Sequence, residues 1–282
     1  MGKWTDLKGK TFHDVEVIEY LGNSSWKCKC LKCGKIFNRK SSILKRYGCK
    51  CKFINTINEN YFDEIDTADK SYIFGFMWAD AYCSNTTRQP ILKIDLQDLD
   101  KELLLKFKDK FNWSGNITSY VAKKGHSYRP EDSIVYRLAI CNKDFINSLC
   151  EKGLVSHREL SYLPYKFLSS NYIKDFIRGY FDGNGSISID KKNRVCVNIC
   201  GGTNIINDIA SYLISELGIS HISSHHRKVD NPNNTTIVFT RNKDKLKILN
   251  FLYNNSSLYL DRKYNKYQKA ITILNKKINE LI

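Results

Sequence analysis

Two hydrophobic periods alternate along this chain. Every second position turns inward over 91–96, with Leu92, Ile94 and Leu96 on one face and Ile91, Lys93 and Asp95 on the other. The same pattern runs over 133–140 and 194–200, where Val195, Val197 and Ile199 fall inward and Arg194, Cys196 and Asn198 outward. Strand side chains point alternately to the two faces, so these segments predict half-buried strands. Shorter strands are expected at 186–189, 222–227 and 235–240, with hairpin turns at 190–193 and 231–234. Elsewhere the apolar spacing lengthens to that of a helix, over 100–111, 142–150, 203–217, 243–253 and 262–282.

Two further runs are related to each other. Segment 72–82 reads YIFGFMWADAY and segment 176–186 reads FIRGYFDGNGS. Each is an apolar helix-length run with small residues four apart, Gly75 and Ala79 in the first and Gly179 and Gly183 in the second. That spacing sets both small residues on one helix face, where two backbones can approach closely. Each run ends in a polar cluster, Asp80 in one and Asp182, Gly183 and Asn184 in the other. Packed side by side, the two helices would bring these ends together at a composite site between duplicated halves. Each half then reads helix, two strands, helix, two strands, helix. The expected fold class is α+β, divided as 1–53, 54–170 and 171–282.

Charge narrows the partner. Lysine and arginine number 45 against 29 acidic residues, a formal net charge of +16. Residues 1–53 alone hold 11 lysines and 2 arginines against 4 acids. Clustered excess of this kind points to a polyanion, and to nucleic acid first. No apolar run is long enough to span a bilayer and no signal core opens the chain, so a cytoplasmic or organellar protein without membrane contact is expected.

Five of the ten cysteines crowd between Cys28 and Cys51. A Cys-x-x-Cys turn offers two thiolates to one tetrahedral metal, and a second pair closes the site. Cys30, Cys33, Cys49 and Cys51 are the expected ligands of one structural Zn²⁺, with Cys28 as a spare one strand position earlier. Fifty residues with few bulky apolar positions need such a staple to fold. The other five, Cys83, Cys141, Cys150, Cys196 and Cys200, read as small core or sheet residues in a reducing compartment.

The paired motifs, their separation and the element alternation over residues 58–282 resemble a single-chain LAGLIDADG homing endonuclease. Segments 60–66, 153–164 and 259–264 fit its phage-type branch, and segment 7–51 resembles the small zinc-ribbon modules attached to such enzymes. The resemblance implies a monomer of two pseudo-symmetric αββαββα halves whose sheets form a DNA-binding saddle. It implies divalent-metal-dependent cleavage, with Mg²⁺ or Mn²⁺, of a long site in double-stranded DNA, and the phage or bacterial host cell as one setting.

Aligned on the family pattern, Asp80 is the metal-binding acid of the first motif, and Asn184 stands where the second motif has its acid. Asp182 takes the earlier acidic position, which the family uses structurally. Ala79 and Gly183 offer backbone carbonyls to the metals. Asn gives a hard cation a neutral oxygen but no charge. Asn184 thus leaves open a strand-specific nickase, a DNA-binding relic or a deliberately disabled enzyme. Lys263 matches a lysine that the family places beside the active-site solvent network, with Arg158 at the comparable place in the first half. The DNA-reading surface is expected from Lys93, Arg194 and Asn198, with Arg88, Gln89, Arg137, Lys191, Lys192, Arg227, Lys228 and Arg241, residue types that can meet base edges or phosphates. The competing reading is a non-catalytic DNA-binding regulator, or a cofactor for splicing host intron RNA, on the same fold.

Overall fold

The computed structural model describes residues 5–31, 34–49, 56–86, 89–124, 131–155, 161–226 and 233–280. The chain divides into two compact units, Met1–Asn55 and Thr56–Ile282.

The first unit is a four-stranded antiparallel sheet in sequence order, β1 (Thr11–Phe12), β2 (Val15–Gly22), β3 (Ser25–Cys30) and β4 (Ile36–Lys40), followed by the single turn α1 (Ser41–Leu44). Asn23 and Ser24 both hold positive φ, 48° and 59°, so β2 and β3 join through the two-residue turn whose twist suits a hairpin. The core is small: Leu7, Val15, Val17, Trp26, Cys28 and Leu44. Trp26 seats its indole N–H on Ser41 Oγ at 2.9 Å.

Cys28 lies on the inner face of β3, fully buried, its thiol aimed at the Trp26 carbonyl at 3.4 Å, and burial pushes its pKa up. It packs there with Leu7, Val15, Val17, Trp26 and Leu44 as part of the small apolar core.

The second unit holds two similar halves. The first runs α2 (Ala68–Asp80), β5 (Tyr82–Ser84), β6 (Ile91–Gln97), α3 (Lys101–Lys110), β7 (Thr118–Ala122), β8 (Ser133–Ile140) and α4 (Lys143–Glu151). The second runs α5 (Ile173–Asn184), β9 (Gly185–Ile189), β10 (Val195–Gly202), α6 (Thr203–Leu217), β11 (Ile222–His226), β12 (Asn234–Phe239) and α7 (Asn242–Tyr253). A last helix, α8 (Asp261–Asn279), follows. Both sheets are antiparallel with the same order, first–second–fourth–third strand of the half. The fold is α+β.

Local signals explain most boundaries. Thr67 and Asn142 cap α2 and α4 by accepting from Lys70 N and Phe145 N. Gly218 ends α6 in the left-handed conformation at φ 55°. Helix α2 is buried at every position from Ser71 to Trp78, so it shows no amphipathic stripe. Leu92, Ile94, Leu96, Val195, Val197 and Ile199 are all buried, as the alternation predicted. Strands β5 and β7 carried no such signal: one has three residues, and the other is a nearly all-exposed edge. No helix among the described residues is long and apolar enough to cross a membrane.

Candidate functional site

Helices α2 and α5 meet through their glycines. A Cβ on Gly75 would collide with the carbonyl of Phe176, and a Cβ on Gly179 with the carbonyl of Tyr72. Each helix thus rests its backbone in the slot left by the other's missing side chain. One turn further, Gly183 meets the Cβ of Ala79. Asp80 and Asn184 directly follow that last pair and are the final residues of their helices. The expected juxtaposition of Asp80, Asn184, Ala79 and Gly183 is therefore present at one end of the pair. Asp80 is exposed and Asn184 half-buried.

The residue at the earlier acidic position has a different place. Asp182 is buried, accepting from Tyr72 Oη at 2.7 Å, Tyr253 Oη at 2.6 Å and Leu260 N at 2.8 Å. Burial raises its pKa, while the Lys263 charge and the three donors pull the other way. Burial and the facing carboxylate also raise both phenols well above their usual range, so they remain donors. One donor comes from the first half and two from the second, so the carboxyl ties the halves together. Ser71 Oγ adds a bond to the Tyr172 carbonyl at 2.7 Å.

Lys263 meets the end of α5 from within. Its side chain is buried, 3% exposed, and donates to the carbonyls of Phe181, Asp182 and Gly185 at 2.6, 2.7 and 2.7 Å. A helix end leaves carbonyls without intrahelical partners and carries partial negative charge, so an ammonium there satisfies both. All three N–H groups are spent on these carbonyls. Burial lowers its pKa to about 8, against the Asp182 and Asp80 carboxylates, which favour the cation.

Beside Asp80 opens a cleft of about 400 Å³, lined also by Asp95, Gln97, Asp100 and Arg262. Arg262 closes one wall, its Nε 2.9 Å from both oxygens of buried Asp100. Among the described residues no three Asp, Glu, His or Cys side chains are grouped to hold a metal by themselves.

The expected DNA-contact residues take varied positions. Lys191, Lys192 and Arg194 are exposed on the β9–β10 turn, where Asp190 accepts from Lys192 N, Arg194 N and Arg194 Nε. Asn198 is half-buried on the outer face of β10, and Gln89 is exposed before β6. Lys93 lies over the Tyr82 ring, 5.6 Å from its centroid. Arg241 donates to Ser220 Oγ at 3.0 Å. Arg137 is paired with Asp95 and stacked on Tyr120. Tyr82 and Tyr120 were not anticipated, because β5 has only three residues and β7 is nearly all exposed. Arg88, Arg158, Arg227 and Lys228 lie outside the described residues.

In the first unit, the carboxylate of Asp14 reaches both described cysteines of the expected metal set. Cys49 N donates to Oδ1 at 3.0 Å, and Cys30 Sγ lies 3.8 Å from Oδ2. Asp14 was missed because sixteen residues separate it from Cys30 and thirty-five from Cys49. Gly34, at φ 70°, closes the turn with its N–H on the Cys30 carbonyl at 2.9 Å. Cys33 and Cys51 lie outside the described residues.

Residues 171–252 match the sequence family described as a LAGLIDADG-like domain. No curated protein matches the chain. Among solved structures, the homing endonuclease I-WcaI bound to its DNA recognition sequence is 15% identical, with 78% of this chain and 96% of that one covered at a TM-score of 0.49. The I-LtrWI LAGLIDADG homing endonuclease bound to target DNA is 14% identical, covering 79% and 92% at 0.47. The N-terminal LAGLIDADG domain of DUF199/WhiA is 13% identical, covering 73% and 93% at 0.42.

Proposed function

We propose that the protein is a sequence-specific DNA endonuclease of the homing type, hydrolysing phosphodiester bonds at a long duplex target with Mg²⁺ or Mn²⁺. The observation that carries this reading is the reciprocal glycine contact of α2 and α5, which leaves Asp80 and Asn184 together at one end of the pair. The LAGLIDADG-like match over 171–252 supports it for the second half. The basic excess of the whole chain supplies the attraction to a polyanion.

The donor set fits a hard cation in part. Asp80 gives one carboxylate, Asn184 one amide oxygen, and Ala79 and Gly183 their carbonyls; phosphate and water would complete an oxygen shell. A divalent cation there supplies an activated water and neutralises charge on the reacting phosphate oxygens. Lys263 holds the end of α5 that presents Asn184, and so acts by positioning. Arg158 and the exposed basic residues of the sheet turns are proposed as phosphate contacts.

Both motifs sit in one chain, so a monomer on one target is the proposed working form. The test is supercoiled plasmid carrying a duplex selected for binding from a random pool, incubated with Mg²⁺ or Mn²⁺. We expect nicked circles to accumulate well before linear product, because the two helix ends carry unequal metal donors. Tight binding with neither product would favour the non-catalytic regulator, the reading that Asn184 itself supports. Rapid linearisation without a nicked stage would show that Asn184 is no handicap.

The first unit is proposed as a zinc-stapled DNA clamp, with Cys30, Cys33, Cys49 and Cys51 as ligands and Asp14 beside Cys30 and Cys49. Elemental analysis of purified protein should find one zinc per chain, and Cys30→Ser should lose it. Zinc-free protein with a folded first unit would end this assignment.

A further inference from the structure

The first-half sheet carries one basic side chain that is fixed in three ways. Arg137 on β8 stands opposite Asp95 on β6, and this facing pair lies on the outer side of the sheet. The adjacent facing pair, Ile94 and Leu138, lies on the buried side. Arg137 donates to Asp95 through Nε at 2.7 Å and Nη2 at 2.6 Å, a side-on fork. The Tyr120 ring on β7 lies under the guanidinium, 4.8 Å from its centroid, and the Tyr120 hydroxyl donates to Asp95 Oδ2 at 3.0 Å. Burial would raise the Asp95 pKa, but the bonds from Arg137 and Tyr120 outweigh it and hold the carboxyl below its usual range. The carboxylate is therefore a permanent partner at neutral pH.

We propose that Asp95 and Tyr120 hold Arg137 as a preset reader of one guanine in the DNA major groove. This deepens the DNA-endonuclease reading and rests on it. A guanidinium has two usable edges, and Asp95 takes the one formed by Nε and Nη2. The edge formed by Nη1 and the second Nη2 proton remains. Among the described residues Nη1 makes no hydrogen bond, and the Nη2 contact to Tyr120 Oη is long, at 3.4 Å. That edge matches the O6 and N7 acceptors of guanine. The paired carboxylate cancels the charge that would draw Arg137 to a phosphate, yet leaves the directional donors a base requires. An arginine already stacked and forked also loses less rotamer freedom on binding.

The test uses the full chain and a randomised duplex pool, with the bound fraction sequenced. Wild-type protein should select G·C at one position by about ten- to a hundredfold, the usual discrimination of a bidentate contact. Arg137→Ala and Arg137→Lys should both flatten that position alone, since lysine keeps the charge but not the fork. Asp95→Ala should weaken the same preference while non-specific binding stays equal or rises. Thermal midpoints near wild type would show that the variants remain folded. Uniformly weaker binding by Arg137→Ala with every preference kept would make it a phosphate contact and overturn the proposal. An unchanged guanine preference in Asp95→Ala would overturn the buttress. Failure of the wild-type chain to bind any duplex would instead remove the endonuclease reading, and this inference with it.

Discussion

Gly179→Ala is expected to destabilise the 56–282 unit by about 3 kcal/mol, the upper end of the usual overpacking cost. The new methyl would meet the Tyr72 carbonyl and the Phe76 nitrogen, both backbone atoms of a buried helix. Neither can swing aside as a flexible side chain can, so α2 and α5 must separate. Separation would loosen Tyr72 from Asp182 and open the aromatic packing of Phe74, Trp78 and Phe176. For a unit of this size the loss corresponds to a fall of roughly 6–12 °C in the unfolding midpoint. Gly183→Ala meets only the Cβ of Ala79 at close range, and should cost less. Denaturant unfolding of the two variants checks the order. A Gly179→Ala midpoint equal to wild type would mean that the helices do not meet as described.

The second large effect concerns the chemistry. Asp80→Ala should remove whatever cleavage the protein has while leaving duplex binding largely intact, because without metal the carboxylate only repels phosphate. Asn184→Asp should raise double-strand cleavage at least about tenfold, the effect of 1.4 kcal/mol on a barrier. Asn and Asp have nearly the same shape, and the Asn184 backbone carbonyl is held independently by the Cys200 thiol at 3.2 Å, so the exchange should not disturb the fold. Linear product formed from selected plasmid, timed against nicked product, reads both effects. An inert Asn184→Asp variant on a duplex it binds tightly would favour the regulator. Asp80→Ala cleaving at the wild-type rate would place the metal elsewhere.

Much of the architecture was legible because it depends on local periodicity. Alternation at 91–96 and 194–200 specified strands and their buried faces, and the helix expected at 203–217 is α6, Thr203–Leu217. The four-residue spacing of Gly75 with Ala79 and Gly179 with Gly183 specified a close helix pair, since only small residues permit that approach. Strand β7 was illegible for the complementary reason: its residues are nearly all exposed, so no buried face imposed a pattern.

What the tertiary structure decided is where charged and sulfur-bearing side chains went. Lys263 is one of 45 lysines and arginines in the sequence, yet α8 begins where its ammonium falls on the carbonyls of Phe181, Asp182 and Gly185 at the end of α5. Arg137 finds Asp95 forty-two positions away only because β6 and β8 are neighbours in register. Cys28 became a core residue, while Cys30, two positions on, reached Asp14. Apolar periodicity is a property of neighbours in the chain and can be read there. The partner of a charge is chosen by which elements pack together, because Coulomb attraction and hydrogen bonding act over a few ångströms of space, whatever the separation in sequence.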